Sequence, residues 1–338
     1  MEKYINPQST FFKLSIPLVI ALFQFFQTNL FTSEELNYEY ARNQICYLVQ
    51  KGEVSKGIEL YKKYIKNAKK HDFPTLEQIG KTLIEQGAKS NDEESLLLAI
   101  YGLNSAGSLG GLELYELGIN SHNPSTQIAT IKYLANYQDD YAEELLFKAF
   151  SSPYLQVRME ASVALALKKS EKSIGIIESL MYKLPPYAHI YFPGIFAAIG
   201  TKNALSILKK MFAHSHQEVR LSAISSAAKY HYDEFLAPIR SGATHSECSD
   251  QEVCACALGV FKDYESINQL KILANSQSIN VMLAASNALI QLGHEEYTEK
   301  IKNCALDKQP LAIPLLSEFR NSEHLLAGML SNSNYIIN

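Results

Sequence analysis

The chain of 338 residues is long enough for two ordinary domains or for one extended array of repeats. Its 47% hydrophobic and 20% charged residues are typical of a protein that packs a core. The 31 basic and 35 acidic residues are mixed along the chain and the pI is near 6.2, which argues against a basic nucleic-acid-binding surface.

Residues 1–33 are predicted to be a signal peptide or an N-terminal membrane anchor. Leu14–Phe26 has thirteen uncharged residues after Lys13, as in the core of a signal peptide. Extended to Phe31, the stretch has 18 residues, slightly short of the roughly 20 that span a bilayer. A buried capping helix and an interfacial helix are the alternatives. We expect an exported or membrane-anchored protein, with membrane attachment through residues 14–31; a cytoplasmic protein is the alternative.

Residues 34–90 are predicted to form a helical N-terminal cap. Its first helix begins with acidic residues after Ser33 and runs to about Gln50, before Gly52. A second helix covers about Val54–Lys69. A third covers Pro74–Gly87, with proline in the first turn, where it is tolerated. The second and third helices are similar in length to a tetratricopeptide-type pair.

Residues 91–331 are predicted to alternate two types of helix, followed by a C-terminal tail at 332–338. One type carries leucine and isoleucine at spacings of three and four, which places them on one helix face. The other carries a valine followed four residues later by alanine. The valines are 62, 34 and 28 residues apart, so a unit of roughly 31 fits if a weaker copy lies in the first gap. The four copies are Val157–Ala161, Val219–Ala223, Val253–Ala257 and Val281–Ala285.

These helices resemble the HEAT-repeat superfamily, particularly the bacterial HEAT-like repeats of phycobilisome-lyase proteins. Such repeats carry a polar residue, then Val-Arg, then alanine four residues after the valine, as do Gln156-Val157-Arg158 and Glu218-Val219-Arg220. The resemblance implies an all-α superhelical solenoid of antiparallel helix pairs. It also implies that Arg158 and Arg220 are structural and tie one repeat to the next.

The cysteines and histidines do not predict a catalytic or metal site. The number of cysteines is odd, so no disulfide framework is expected, although a Cys248–Cys254 bridge stays open if the chain is exported. The cluster of His245 with Cys248, Cys254 and Cys256 lacks the usual zinc spacing. The single His294-Glu295 pair is interpreted as a solvated helix start. We expect no catalytic, metal-binding or cofactor-binding residue.

A proline- and tyrosine-rich stretch interrupts the repeat pattern. Tyr182, Tyr187, Tyr191 and Phe192 cluster around three prolines and are the candidate partner-binding residues, because aromatic side chains favour interface cores. Ordinary packing is the alternative interpretation.

The favoured function is a non-enzymatic scaffold or adaptor that binds another protein along the concave face of the solenoid. One alternative, from the resemblance to phycobilisome-lyase repeats, is a lyase or chaperone for a protein-bound cofactor. The other is a nucleic-acid binder similar to HEAT-like DNA glycosylases, against which the mixed charge argues. The identity of the partner does not follow from the sequence.

Overall fold

The computed structural model describes residues 38–107, 111–244 and 247–306, together with residues 312 and 315. Within these ranges the chain forms helices joined by short turns and no strand, so the predicted all-α class is confirmed. The chain divides into two compact units, Met1–Tyr133 and Leu134–Asn338.

Several predicted segments lie outside the described residues. They are the apolar segment 14–31, the tail 332–338 and most of residues 307–331. No helix in the described ranges combines the length and apolar character needed to cross a membrane.

The first unit contains six helices within its described residues. The second and third begin and end within two residues of the predicted positions. The predicted boundary at residue 90 lies between α3 and α4, which pack against each other inside this unit, and the domain bounds stay a prediction. The helices are α1 (38–50), α2 (Val54–Ala68), α3 (Phe73–Lys89), α4 (Glu93–Ala106), α5 (Leu112–Asn120) and α6 (Pro124–Leu134).

A buried carboxylate joins the first three helices. Asp72 is the N-cap of α3 and accepts a hydrogen bond from the Thr75 backbone N–H at 3.3 Å. Its Oδ2 also accepts from the Tyr64 hydroxyl at 2.7 Å and from Arg42 Nε at 2.5 Å. Burial by itself would raise the pKa of Asp72, but these donors outweigh burial and lower it.

The second unit is a run of helix pairs, in which we call the members first and second helices. The first helices, several of which open with a 3₁₀ turn, begin at residues 140, 171, 202, 233, 264 and 295, which are 31 residues apart. Their α-helical parts are α7 (Asp140–Lys148), α9 (Ile174–Tyr182), α11 (Lys202–Met211), α13 (Leu236–Gly242), α15 (Ile267–Leu273) and α17 (Thr298–Leu306).

The second helices follow the same period. Four of them have 13 residues each, and the weaker copy predicted between the first two valines is present as a broken helix. There, a 3₁₀ segment, Pro186–Tyr191, precedes a short α-helix because Pro193 has no N–H to donate to the preceding turn. The second helices are α8 (Leu155–Leu167), α10 (Pro193–Ile199), α12 (Gln217–Lys229), α14 (Cys248–Val260) and α16 (Ile279–Gln291).

The 31-residue period corrects the sequence assignment of one copy. The valine position of the repeat recurs at 157, 188, 219, 250 and 281, so Asp250, not Val253, is the equivalent residue in α14. Asp250 is buried, and Cys254 fills the alanine position without any exposed surface. The predicted Val253–Ala257 copy was therefore wrong by three residues.

Each second helix ends in a residue with left-handed backbone conformation. These residues stand 31 apart, at Lys169, Gly200, His231, Lys262 and Gly293. The backbone N–H of the next residue usually bonds to the carbonyl five residues back, as Ser170 does to the Leu165 carbonyl at 3.0 Å. This turn reverses the chain into the next first helix.

Small side chains set the spacing between neighbouring second helices. A Cβ added at Gly259 of α14 would lie 2.8 Å from the Ala288 Cα of α16. Because these helices approach so closely, one apolar core continues from α8 to α16 and no single pair has to bury its own apolar face.

We expect Gly200→Ala to lower the free energy of unfolding by about 2 kcal/mol. Left-handed alanine costs about 1 kcal/mol. The new Cβ would also lie 2.3 Å from the Tyr232 hydroxyl, which donates to the Ala197 carbonyl. Gly293→Ala is the matched control, since its Cβ meets no atom within 4 Å and only the backbone strain remains. Equal losses for the two variants in urea denaturation would contradict this account.

Candidate functional site

Four of the turns between helices carry a serine at a position that follows the 31-residue period. In four turns a serine hydroxyl accepts a hydrogen bond from the backbone N–H two residues later, at 2.9–3.3 Å. This bond fixes the turn that leads into the second helix. The serines are Ser90, Ser121, Ser152 and Ser276.

The arginine after the valine binds the same turn from the other side. Arg158 Nη1 donates to the carbonyls of Ser152 and Pro153, six and five residues earlier, at 2.8 and 3.4 Å. Arg220 Nη1 makes the equivalent bonds to His214 and Ser215, at 3.1 and 3.4 Å. The charged side chain thus donates to two backbone carbonyls of the turn.

Arg220 also connects its pair to the next one. Its Nη2 lies 2.7 Å from Glu247 Oε2 and 3.2 Å from Asp250 Oδ2, and Asp250 is the buried residue at the valine position of α14. The expected role of the Val-Arg arginine as a tie between repeats is therefore confirmed for Arg220. The hydrogen bonds described above for Arg158 remain within its own turn.

The broken copy carries a histidine at the arginine position. His189 stands 31 residues after Arg158 and 31 before Arg220, and it is buried. Its Nε2 lies 3.2 Å from the Leu184 carbonyl, five residues earlier, which is the offset of the second arginine contact. The imidazole thus takes over one of the two contacts of the arginine.

A second histidine stands at the serine position of the following turn. His214 lies 62 residues after Ser152, and its Nδ1 accepts from the His216 backbone N–H at 3.1 Å, as the serine hydroxyls do. Its Nε2 lies 3.2 Å from His189 Nδ1. The two substitutions therefore place two imidazoles in contact between neighbouring pairs.

The hydrogen bonds of this pair define its protons. The Leu184 carbonyl can only accept, so His189 carries its proton on Nε2 and its Nδ1 accepts. His214 Nδ1 accepts from a backbone N–H, so its proton is on Nε2 and points to His189. Burial lowers the pKa of His214, and the positive potential of His189, His216 and Arg220 lowers it further.

Three of the four predicted partner-binding residues surround this pair and are exposed. Tyr182, Tyr187 and Tyr191, which we call the tyrosine surface, are 64%, 68% and 67% exposed. The Tyr182 ring meets His189 edge to face, with centroids 6.2 Å apart. Tyr187 and Tyr191 lie on either side of His189 in the 3₁₀ segment.

The prediction that Phe192 contacts a partner does not agree with its position in the structure. Phe192 fills the alanine position of the broken copy, has no exposed surface and belongs to the core, so it cannot contact a partner. The histidine pair was missed because the two residues are 25 positions apart in the sequence. Their correspondence to an arginine and a serine becomes visible only when the repeats are aligned with a period of 31.

The outer surfaces of the two helix types differ in charge. The second-helix face consists of residues 156, 160, 163 and 167 and those that follow at 31-residue intervals in α10, α12, α14 and α16. Of these twenty residues three are charged: Glu160, Glu218 and Lys229. The first-helix face consists of residues 172, 175, 178 and 179 and their equivalents in the four later first helices, and eleven of its twenty residues are charged.

The other cysteines and histidines considered in the sequence analysis do not form a common site in the described residues. His245 lies outside the described residues, and Cys46, Cys248, Cys254, Cys256 and Cys304 are free thiols. Burial raises the pKa of Cys254 to about 12. His294 pairs with Glu296 in its own turn, at 3.1 Å. Within the described ranges, no group of three or more His, Cys, Asp or Glu side chains is arranged to hold a metal ion.

Comparison with known proteins finds similar structures only. No protein-family model and no curated protein matches the chain. The complex of CpcE and CpcF of phycocyanin lyase from Nostoc is 12% identical, with 74% of this chain and 94% of that chain covered and a TM-score of 0.38. Human deoxyhypusine hydroxylase is also 12% identical (66% and 100% covered, TM-score 0.28). An engineered protein is 20% identical (69% and 96% covered, TM-score 0.26). Similarity at this level does not identify a function.

We expect Arg220→Met to lower the free energy of unfolding by about 3 kcal/mol, because the buried Asp250 carboxylate loses its cation. Methionine is the residue that α16 carries at this position, Met282. Adding Asp250→Val, the residue of three of the other four copies, should recover most of the loss. A double variant as unstable as the single one in urea denaturation would refute this assignment.

Proposed function

We propose that this protein is a non-enzymatic scaffold or adaptor that binds an uncharged, apolar segment of another protein along the second-helix face. The observation that carries the proposal is the difference in charge between the two faces: three of the twenty positions are charged on the second-helix face, where Ala284 is buried, and eleven of the twenty on the first-helix face.

Desolvation is the physical reason for this choice of face. A charged side chain loses its hydration when a partner covers it, so the centres of interfaces are poor in charge and rich in aromatic residues. The second-helix face exposes Val163, Leu167 and Val260 and also carries Tyr187 and Tyr191. Tyrosine offers a large contact area with little side-chain entropy to lose.

The charge of this face also defines the partner. Because the face offers few charged groups, a strongly acidic or basic segment would lose hydration there without gaining an ion pair. An apolar segment loses little hydration and gains contact area. This argument supports a protein segment and gives no support to nucleic acid, whose phosphates require cations.

The lyase or chaperone alternative and the targeting prediction stay open to experiment. A chromophore that co-purifies with reproducible absorbance would favour the lyase. A fusion of residues 1–40 to a periplasmic reporter would test the proposed export or membrane attachment through residues 14–31, and a lack of export would favour a cytoplasmic protein.

We expect Tyr187→Ser and Tyr191→Ser each to weaken binding of the partner that the wild-type protein captures by about tenfold or more. Serine is the residue at the equivalent positions 249 and 222, so the repeat tolerates it. Tyr264→Ser is the control, because Tyr264 is 62% exposed but begins a first helix. Dissociation constants should change for the first two variants only; equal loss for all three, or no loss, would count against the proposal.

A further inference from the structure

We infer that the His189–His214 pair is a proton-sensitive latch, which holds the tyrosine surface in its binding conformation and releases it on acidification. The effect on binding rests on the proposed function, whereas the latch itself rests on the hydrogen bonds of the pair.

The hydrogen bonds of the two imidazole rings accommodate two protons but not a third. Each neutral ring uses one nitrogen as donor and one as acceptor, and together they complete three hydrogen bonds. A third proton would go on His189 Nδ1, which faces the Nε2–H of His214, or on His214 Nδ1, which faces the His216 N–H. Either position sets two donors against each other, so protonation must break a hydrogen bond.

The surrounding charges add to this effect. His216 belongs to the same turn as His214, Arg220 of α12 binds the carbonyl of His214, and Tyr182 of α9 contacts His189. Glu247 and Asp250, at the start of α14, are each paired with Arg220. A cationic imidazole would therefore be placed among cationic and titratable neighbours.

The direction of the pH dependence follows from the pKa of His214, which is lowered in the folded protein. The stabilisation from the neutral form is complete above the ordinary histidine value of about 6.5 and is lost as the pH falls below it.

The tyrosine surface depends mechanically on this pair. His189 lies in a 3₁₀ segment of six residues, and such segments hold few and poorly aligned backbone bonds. Its two side-chain bonds join this segment to Leu184 on one side and to the next helix pair on the other. When the bond to His214 breaks, the segment that carries Tyr187 and Tyr191 loses one of its side-chain hydrogen bonds to the next pair and keeps the bond from the Ser222 hydroxyl to the Ile190 carbonyl, at 3.1 Å.

The latch can be removed with residues that the repeat already uses. His189→Arg introduces the residue of positions 158 and 220, and His214→Ser introduces the residue of positions 152 and 276. His231→Lys is the control, because lysine occupies the equivalent left-handed positions 169 and 262. Each variant is compared with the wild-type full chain between pH 7.5 and 5.5.

Two readouts separate the latch from the proposed function. Without a partner, amide hydrogen exchange in residues 186–192, corrected for intrinsic rates, should rise about tenfold as the wild type and His231→Lys are acidified and stay constant in His189→Arg and His214→Ser. Imidazole NMR signals of wild-type His189 and His214 should change together in the same pH range. Independent titration of the two rings, or unchanged exchange in the wild type, would overturn the latch.

The second readout is binding of the captured partner. The wild type and His231→Lys should lose about tenfold in affinity on acidification, as expected for a shift of one pKa unit in one linked proton, and the two latch variants should lose none. If the affinity stays constant while amide exchange rises, the latch exists but does not regulate partner binding. If no protein binds at any pH, the proposed function fails, and the exchange and NMR experiments still decide the latch.

Discussion

The structure of the second unit depends on one constraint: every 31 residues a helix must pack closely on its neighbour and then reverse. Close packing requires a small residue at the alanine position and, at Gly259, no side chain at all. Reversal requires a left-handed residue at the helix end, which recurs from Lys169 to Gly293. Once the packing residue and the left-handed residue are fixed, each remaining position of the repeat lies in the core, in a turn or in solvent.

One copy departs from this constraint, and the candidate site lies there. Phe192 fills the position of a small residue, and Pro193 breaks the helix that would follow. The shortened helix leaves a 3₁₀ segment in which two tyrosines face solvent and one histidine faces inward. A regular scaffold with one irregular copy is what a binding protein needs, since the rigid copies position the irregular one.

The sequence predicted the architecture because the helical signal is repeated. The alternation of helix types, the period of roughly 31 and the weaker copy all follow from apolar spacing, which averages over many residues. The position of Val253 misled the assignment of α14, because an aspartate at a core position contradicts the hydrophobic pattern. The ion pair with Arg220 stabilises Asp250 there.

The site itself was only half predictable. The tyrosines were identified from composition, and two of them fall on the second-helix face, which has few charged residues. Phe192 was misplaced because burial at a single position depends on the period, which local composition does not reveal. The histidine pair depends on hydrogen-bond directions between residues 25 positions apart, and no spacing rule encodes those.

The most direct test of the central claim is photo-crosslinking from two matched serines in cells of the source organism. Ser225 lies on the second-helix face and Ser206 on the first-helix face, and both are exposed. A photoreactive residue at 225 should crosslink to another protein, whereas the same residue at 206 should not. Crosslinks from 206 alone would contradict the account.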